Sequence, residues 1–396
     1  NIRGTDIPKL PVVQGLALLA ADGRVTLLVE PGRIPDGFNS HVGEGVEVLS
    51  EAQAETVLAG CGGRTVLADP DTANAWCQLT LESGGATLLA AEDPVLLPKA
   101  CKNPVEIEGT RNAHIRDAVA EVRFLAWLDS EVAAGRPHDE DSLARKLLSF
   151  RAVGEHFQEV SFDSISAAGG NAAMCHYNHL NVASPAPLPM DSVYLIDSGG
   201  QYLDGTTDIT RTVAIGDPGD EIRRMFTLVL KGHIALDQAR FPAGTSGSQL
   251  DVLARQFLWQ QGFDYDHGTG HGVGVFLSVH EGPQRIAKAA SGVALRPGMI
   301  VSNEPGYYRD GAFGIRCENL VVVRESSRRQ DERPMLEFEA ITLVPFDRRL
   351  VDIALLSEAE LAWLNDYHRR VVELIGPRLE GADRDWLEQA TAPLPG

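Results

Sequence analysis

The residues with the clearest potential for chemistry lie in the glycine-rich run 267–280, which reads His-Gly-Thr-Gly-His-Gly-Val-Gly-Val-Phe-Leu-Ser-Val-His. His267, His271 and His280 are three of the eleven histidines in the chain. Imidazole is the commonest metal ligand and titrates near neutral pH, so the run indicates metal binding or proton transfer. The glycines let a ligand approach the backbone closely. A glycine-rich turn with surface histidines would show the same pattern, so partner residues decide between the two interpretations.

Two aspartates at the ends of neighbouring apolar runs are the first candidate partners. Asp197 ends one strand-like run, and Asp208 begins the next. A hairpin-like excursion between them would bring both carboxylates to one rim. Taken singly, either aspartate is also typical of a turn or a cap. Asp204 beside Gly205 is more simply a turn residue.

Two glutamates occupy similar positions further along the chain. Glu304 follows an apolar strand-like run, and Glu318 lies between Cys317 and the apolar run 320–323, which predicts that it is buried. A buried carboxylate needs a metal ion or another cation beside it. Arg316 and Glu318 also alternate on one face of a predicted strand. An exposed pair of neighbouring Arg and Glu side chains is therefore the alternative.

Four carboxylates and one imidazole form a ligand set dominated by oxygen, which suits Mn²⁺, Co²⁺ or Zn²⁺ rather than copper or a thiolate-bound centre. Charge counting favours two ions, because two divalent cations bring four positive charges that four carboxylates balance. Pairs of ions in such sites generate a hydroxide and hold both oxygens of a tetrahedral intermediate. The remaining histidines then suit proton transfer or polarisation of a carbonyl group.

The composition excludes other classes of function. The chain has 35 basic and 55 acidic residues and a formal charge of -20, which repels phosphate backbones and anionic membranes. We therefore expect no binding to nucleic acid or to a membrane. The five cysteines show no Cys-x-x-Cys spacing, which favours a reducing compartment and hence a cytoplasmic location. No run approaches the ~18 apolar residues that span a bilayer.

The elements that must position these residues change in character near residue 102. Before it, short apolar runs separated by Gly, Pro and Asp predict alternating strands and helices. After it, a helix is expected to begin, because Asn103 can cap it, Pro104 suits its first position and Glu106 completes a capping box. Strands are expected from Phe162 onward, with helices returning later.

The remaining predicted elements follow from apolar periodicity and turn signals. The charged run 324–333 is expected to be a solvated hairpin tip. The other predictions are a hairpin around Asp22 and Gly23, strands at 193–196 and 210–215, helices at about 142–154, 220–239 and 248–261, a strand pair at 337–344, and a helix capped by Ser357 and Glu360.

The motif regions resemble those of the Xaa-Pro aminopeptidases (aminopeptidase P), which are pita-bread metallopeptidases. The matching runs are 196–212, 267–283 and 303–318, and the run 336–345 resembles the C-terminal extension of the longer, three-domain branch. The resemblance implies an α+β fold whose catalytic domain is a pita-bread domain, a curved antiparallel sheet with helices. The implied domains are the remainder of an α/β non-catalytic domain at 1–102, the catalytic domain at 103–334 and the C-terminal extension at 335–396. The first domain of that branch and part of its second are expected to be absent.

The resemblance also assigns roles to the candidate metal ligands. It makes Asp197 a ligand of one metal ion, and His271 and Glu304 ligands of the other. Asp208 and Glu318 become bridging ligands.

The same resemblance assigns the residues around the metal ions. His176, His267 and His280 match the substrate-binding and proton-shuttling histidines of the family, although a lone His176 would more often be structural. Tyr308 and Arg316 match positions that surround the ligands, and we group them with the substrate-binding residues.

The implied function is a metal-dependent aminopeptidase that removes the N-terminal residue from peptides with proline in the second position. A hydroxide held by two Mn²⁺ ions, or by Co²⁺ or Zn²⁺, is expected to attack the carbonyl carbon before proline. His280 would stabilise the oxyanion, and Glu304 would act as a catalytic proton shuttle. The resemblance also implies a homodimer. One departure is Asn303, which stands where the family often has Asp.

Two other functions remain open at this stage. A prolidase, acting as an Xaa-Pro dipeptidase, or a methionine aminopeptidase would keep the same five ligands. A non-catalytic pita-bread module would keep the fold for peptide binding but has no need for all five ligands.

Overall fold

The structure is a computed structural model that describes residues 2–327 and 332–396. The chain forms two compact units, Asn1–Lys99 and Ala100–Gly396. The finer division of the chain at residues 102 and 334 stays a prediction.

The first unit alternates short strands with short helices, as the Gly, Pro and Asp between its apolar runs predict. Its elements are β1 (Leu16–Leu19), β2 (Val25–Leu28), α1 (Phe38–Val42), β3 (Val46–Leu49), α2 (Ala54–Ala59), β4 (Thr65–Ala68), α3 (Ala75–Ser83) and β5 (Thr87–Ala90), with α4 (Leu96–Ala100) at its end. The predicted hairpin around Asp22 and Gly23 is confirmed by the antiparallel pair β1 and β2. Strand β3 pairs in parallel with β2, and β5 with β4. Leu58, Cys61 and Leu81 form a buried core here.

The second unit contains long helices that pack against its sheets. They are α5 (Pro104–Ala133), α6 (Glu140–Arg151), α7 (Gly219–Asp237), α8 (Gly247–Trp259), α9 (Glu358–Ile375) and α10 (Gly381–Ala390). The predicted capping box of α5 is confirmed: the Asn103 side chain accepts from the backbone N–H of Val105 and Glu106, and Glu106 accepts from the Asn103 N–H. Ser357 and Glu360 cap α9 in the same way.

The strands of the second unit are largely antiparallel. They are β6 (Phe157–Val160), β7 (Ile165–Ala168), β8 (Ser192–Ser198), β9 (Gly200–Tyr202), β10 (Gly205–Thr206), β11 (Ile209–Ile215), β12 (Arg240–Pro242), β13 (Gly270–Gly272), β14 (Glu281–Ile286), β15 (Ile300–Asn303), β16 (Gly306–Arg309), β17 (Phe313–Arg316), β18 (Asn319–Glu325) and β19 (Met335–Ala340). One sheet has the order β11-β8-β7, and a second has the order β12-β19-β18-β15-β13-β14. The short strands β9 and β10 form the predicted excursion between Asp197 and Asp208. These two sheets carry the candidate ligands.

Two predictions about strands need correction or remain partly outside the description. The predicted strand pair at 337–344 is a single strand, β19, which pairs with β18 on one side and with β12 on the other. Beyond it, Ile341, Leu343 and Val344 are buried in the core rather than paired in a second strand. The apolar character of residues 341–344, which led to the prediction of a second strand, is therefore due to packing in the core. The predicted hairpin tip begins inside β18, and residues 328–331 of it lie outside the described residues.

Several histidines of the second unit belong to the core. His233 and His368 are fully buried. Removal from water disfavours the charged imidazole and lowers the pKa of both side chains to about 3. The His368 Nε2 accepts a hydrogen bond from the Phe346 backbone N–H, at 3.1 Å, which needs the neutral ring. These histidines therefore stay uncharged in the folded chain.

Acidification is expected to destabilise this unit through such histidines. The pKa of His368 is lower in the folded chain than the ~6.5 of an unfolded one, so the unfolded state takes up the proton first as pH falls. The resulting stability is complete above ~6.5 and is lost by about 1.4 kcal/mol per pH unit below it. The variant His368→Gln should show a shallower fall in the free energy of unfolding than the parent chain, measured by guanidinium denaturation in EDTA across this range. Equal slopes for the two chains would contradict the assignment.

Candidate metal centre

Five side chains from distant parts of the second unit converge on one place. They are Asp197 near the end of β8, Asp208 just before β11, His271 in the middle of β13, Glu304 just after β15 and Glu318 just before β18. Their ligand atoms form overlapping groups whose members all lie within 4.8 Å of one another: Asp197, Asp208 and Glu318; His271, Glu304 and Glu318; and Asp208, His271 and His280. The predicted ligands are therefore together, although no single segment holds more than one of them.

The imidazole of His271 is oriented by its own backbone neighbourhood. Its Nδ1 lies 2.9 Å from the carbonyl oxygen of Gly272 and donates a hydrogen bond to it. In the neutral ring this leaves the lone pair on Nε2, which lies 3.4 Å from Asp208 Oδ2 and 3.5 Å from Glu304 Oε1. The orientation is that of a metal-ligating histidine with its second nitrogen held by a carbonyl group.

The carboxylates of the cluster repel one another in a buried space. Asp197, Asp208 and Glu318 are all buried. Burial, followed by repulsion from neighbouring carboxylates, raises the pKa of Asp208 and of Glu318 well above the ordinary values. Asp197 Oδ1 is also buried and receives no hydrogen bond from any residue that the structure describes. Divalent cations would relieve both the repulsion and this missing partner, so the residues fit the two metal ions that the ligand set predicts.

Arg316 is the cation that the protein itself supplies to this cluster. Its Nη2 donates to Asp197 Oδ2 at 2.5 Å, and its Nε donates to the Thr210 hydroxyl oxygen at 3.1 Å. The Thr210 hydroxyl in turn donates to Glu318 Oε2 at 2.6 Å. The prediction that Arg316 and Glu318 share one strand is wrong, because Arg316 ends β17 and Glu318 lies before β18. The Arg316 and Glu318 side chains are still linked at the centre, because each is hydrogen-bonded to the Thr210 hydroxyl.

A chain of hydrogen bonds continues from Arg316 to a histidine of the glycine-rich run. Arg316 Nη1 donates to the Tyr308 hydroxyl oxygen at 2.8 Å, and that oxygen lies 2.8 Å from His267 Nε2. His267 Nδ1 lies 2.7 Å from the Gly268 carbonyl oxygen and donates to it, so Tyr308 donates to Nε2. Burial lowers the pKa of His267 to about 3. His267 is therefore a neutral ring with both nitrogens engaged.

The other two predicted histidines lie at the accessible side of the centre. The His280 ring centroid lies 4.3 Å from that of His271, and burial lowers the pKa of His280 to about 4. The His271 and His280 rings line an open cavity of about 520 Å³, together with Arg285 and Ser291. His176 is exposed and is close enough to His267 and His280 to interact with them electrostatically. The structure thus places all the predicted site histidines around one cluster.

Sequence reasoning missed two hydroxyl side chains that hold the ligands. Thr210 lies two residues after Asp208, and Ser302 lies two residues before Glu304. The Ser302 hydroxyl donates to Glu304 Oε1 at 3.0 Å and accepts from the backbone N–H of His271 at 2.9 Å. Residues two apart in an extended chain face the same side. This spacing was the available signal.

Asn303, at a position where the family resemblance leads us to expect Asp, lies in the core. It is fully buried, and its Nδ2 donates to the His233 carbonyl oxygen at 2.9 Å. The His233 ring lies in turn within hydrogen-bonding distance of the carbonyl oxygens of Asn303 and Cys317. Asn303 and His233 therefore brace the segments that carry Glu304 and Glu318.

Comparison with known families decides what kind of centre this is. Residues 108–325, more than half of the chain, match the model of metallopeptidase family M24. The chain belongs to metallopeptidase family M24. Residues 1–106 match the creatinase/prolidase N-terminal domain, and residues 334–394 match the C-terminal region of M24 peptidases. The family makes the chain a hydrolase with an α+β pita-bread fold, as predicted.

Individual relatives of this M24 chain point to one group within the family. It is 42% identical, over 100% of its length, to a probable Xaa-Pro aminopeptidase P of Tuber melanosporum, of which it spans 67%. It is 39% identical to Aminopeptidase P1 of Arabidopsis thaliana, again over 100% of this chain and 68% of that one. This chain thus spans about two thirds of the length of these relatives.

Solved structures give the same result for the fold. An X-prolyl aminopeptidase from Caenorhabditis elegans, described as a cytosolic enzyme with a di-nuclear active site, superposes with a TM-score of 0.93 at 35% identity. That match covers 100% of this chain and 66% of the other. A prolidase from Pyrococcus furiosus shares the fold with a TM-score of 0.64 at 22% identity, covering 83% of this chain and 89% of the prolidase. Among the described residues, no helix has the length and apolar character to cross a membrane.

The repulsion within the cluster leads to a test of metal binding that does not depend on catalysis. The variant Asp208→Asn removes one buried negative charge, so it should unfold at higher guanidinium concentration than the parent chain in EDTA. We expect the free energy of unfolding to rise, because burial and the neighbouring carboxylates disfavour the charged form of Asp208. Added Mn²⁺ should then stabilise the parent chain far more than the variant. A variant that is less stable than the parent in EDTA would argue against repulsion as the dominant force at this site.

Proposed function

We propose that this M24 chain acts as an Xaa-Pro aminopeptidase, which removes the N-terminal residue from peptides with proline in the second position. The observation that carries the proposal is the convergence of the five candidate ligand side chains in one cluster, in which Asp197, Asp208 and Glu318 are buried and the other two are half-buried. It is supported by about 40% identity to proteins named Xaa-Pro aminopeptidase P and Aminopeptidase P1. A binding module would have no use for a cluster whose carboxylates repel one another in the absence of cations.

The roles of the residues follow from their contacts. Asp197, Asp208, His271, Glu304 and Glu318 would hold two divalent ions, which activate water as a nucleophile at neutral pH and polarise the scissile carbonyl group. We assign Mn²⁺ to this ligand set, with Co²⁺ and Zn²⁺ as alternatives.

The side chains around the ligands would bind and orient the peptide. The accessible ring of His280 is neutral at pH 7 because its pKa is about 4, so it can donate a hydrogen bond to the scissile carbonyl oxygen and stabilise the developing charge. The Glu304 carboxylate can accept a proton and pass it to the leaving nitrogen. His176 lies on the open side, where it can contact the peptide. A free α-amino group beside the carboxylates of the centre would donate hydrogen bonds to them, which favours removal of a terminal residue.

Proline in the second position suits this arrangement for a physical reason. Its amide nitrogen carries no hydrogen, so the site need not provide an acceptor there. The leaving nitrogen must still gain a proton when the bond breaks, and we assign this proton transfer to Glu304. His267 and Tyr308 are fixed through Arg316, so we assign them to holding the shape of the peptide-binding wall.

Assembly and location extend the proposal. We propose a cytoplasmic location, supported by the likeness to a structure described as cytosolic and by the scattered cysteines. We also propose a homodimer, which rests on the family resemblance alone. Light scattering after size-exclusion chromatography would measure the assembly, and a molar mass of one chain would contradict the dimer.

Peptide hydrolysis tests the function directly. The Mn²⁺-loaded chain should release the first residue from Xaa-Pro-Xaa tripeptides and lose at least about 10³-fold in kcat/KM in Asp208→Asn and Glu318→Gln, because each variant weakens the site for both ions. The control Glu373→Gln changes an exposed carboxylate that pairs with Arg369, and it should keep full activity. A dipeptide in the same series separates this function from that of a prolidase. Faster cleavage of Xaa-Pro than of Xaa-Pro-Xaa, or no requirement for proline, would contradict the proposal.

Two histidines of the glycine-rich run, His271 and His280, should differ in role: one binds metal and the other contacts the substrate. His271→Ala should lose bound metal, measured by elemental analysis after dialysis, because it removes a ligand. His280→Ala should retain its metal and lose about 10²- to 10⁴-fold in kcat, because it removes a donor to the transition state. Loss of metal from both variants to the same extent would show that His280 is a ligand instead.

A further inference from the structure

A buried charged cluster borders the hairpin that carries Asp197 and Asp208. It consists of Asp117 and Glu121, one turn apart on α5, and Arg151 at the end of α6, and we call these three residues the buried triad. Arg151 Nε donates to Asp117 Oδ1 at 2.6 Å, and its Nη2 donates to Glu121 Oε1 at 2.6 Å. None of the three side chains is more than 1% exposed.

The buried triad accepts hydrogen bonds from the two residues that adjoin the aspartate ligands. Ser198, the residue after Asp197, donates its hydroxyl hydrogen to Glu121 Oε1 at 2.8 Å. Thr207, the residue before Asp208, donates to Asp117 Oδ2 at 2.7 Å. Neighbouring residues in an extended chain face opposite sides. The aspartates therefore turn to the metal centre, while their neighbours turn to the buried triad.

A cluster of this kind is a costly way to fill a core. Each buried charge loses several kcal/mol of hydration, and packed apolar side chains of similar volume are often at least as stable. The second carboxylate adds to the cost, because burial and the neighbouring Asp117 raise the pKa of Glu121 to about 7. The charged groups provide directional hydrogen bonds that apolar side chains cannot make. A carboxylate that accepts from both a guanidinium and a hydroxyl fixes the position of each donor.

We propose that the buried triad positions the metal site: Asp117 and Glu121, held by Arg151, fix the separation of Asp197 and Asp208 through Thr207 and Ser198. The ligand concerned is a pair of divalent cations, and the residues of the triad are positioning residues that touch neither cation nor substrate. This inference rests on the proposed metal ligands and is independent of the peptide that is cleaved.

The chain offers a matched control for a purely structural role. The Tyr202 hydroxyl also donates to Asp117, at 2.9 Å from Oδ1, and Tyr202 is as buried as the triad. Tyr202 adjoins no metal ligand. Tyr202 lies in β9, within the excursion between Asp197 and Asp208. Tyr202→Phe therefore removes a hydroxyl from the same carboxylate and the same hairpin, but leaves both residues that adjoin the aspartates and their hydrogen bonds to the triad.

The test is calorimetric titration of the metal-free chain with Mn²⁺, accompanied by thermal unfolding in EDTA. Ser198→Ala and Thr207→Val are expected to weaken metal affinity about tenfold each, as removal of outer-shell partners does. Thr207→Ser keeps the hydroxyl and should restore most of the affinity. Tyr202→Phe should keep the affinity of the parent chain even where its unfolding temperature falls as far as that of the other variants.

Each outcome has a distinct meaning. Equal affinity in all variants, or equal losses that include Tyr202→Phe, would overturn the positioning role and leave the buried triad as a core ion cluster. If Thr207→Val does not fold, a Thr207→Ser chain with weakened affinity overturns the role, and one with parental affinity beside a weakened Ser198→Ala supports it. A parent chain that binds no divalent metal would instead refute the proposed function.

Discussion

The mutual repulsion of four carboxylates is the constraint on which the rest of the catalytic unit depends. Burial and the like charges of the neighbouring carboxylates both raise the pKa of Asp208 and of Glu318. A fold that tolerates such a cluster must hold its members rigidly, because any freedom would let them move apart. It must also supply positive charge, from its own residues and from bound cations.

The surrounding structure meets this constraint in two ways. Each ligand sits at or beside a strand that neighbours pin in register, so the backbone cannot relax the repulsion. Arg316 then lies against the cluster and contacts Asp197 directly and Glu318 through Thr210. Its remaining nitrogen bonds Tyr308, so the same guanidinium links the acidic centre to the wall of the peptide cleft.

The sequence could reveal the candidate ligands and most of the helices and strands, but not the hydrogen bonds that hold these ligands in position. Asp197, Asp208 and His271 lie in short motifs whose residue types point to metal chemistry, and capping signals such as Asn103 predict helix starts from neighbouring residues alone. The error at Arg316 and Glu318 has a local cause, since the chain leaves one strand and enters the next within two residues, and alternation alone cannot show such a break.

Long-range contacts account for the rest of what the sequence could not show. The residues of the buried triad look like solvent-facing positions on α5 and α6. Only the packing of α5 against α6 and β10, and of α6 against β7, identifies them as core. The prediction of a second strand within 337–344 is wrong for a related reason. An apolar run that packs into the core without pairing has the same composition as a buried strand, so composition cannot distinguish them.

The order of the ligands along the chain has a consequence for folding. Asp197 and Glu318 belong to opposite halves of the catalytic unit, so a cation that both of them hold is a cross-link between segments that are far apart in sequence. Such a link closes a long loop and lowers the entropy of any partly open state that keeps it. The ions would then act as a reversible staple, and the cell's supply of metal would govern how readily this unit opens to proteases as well as how fast it works.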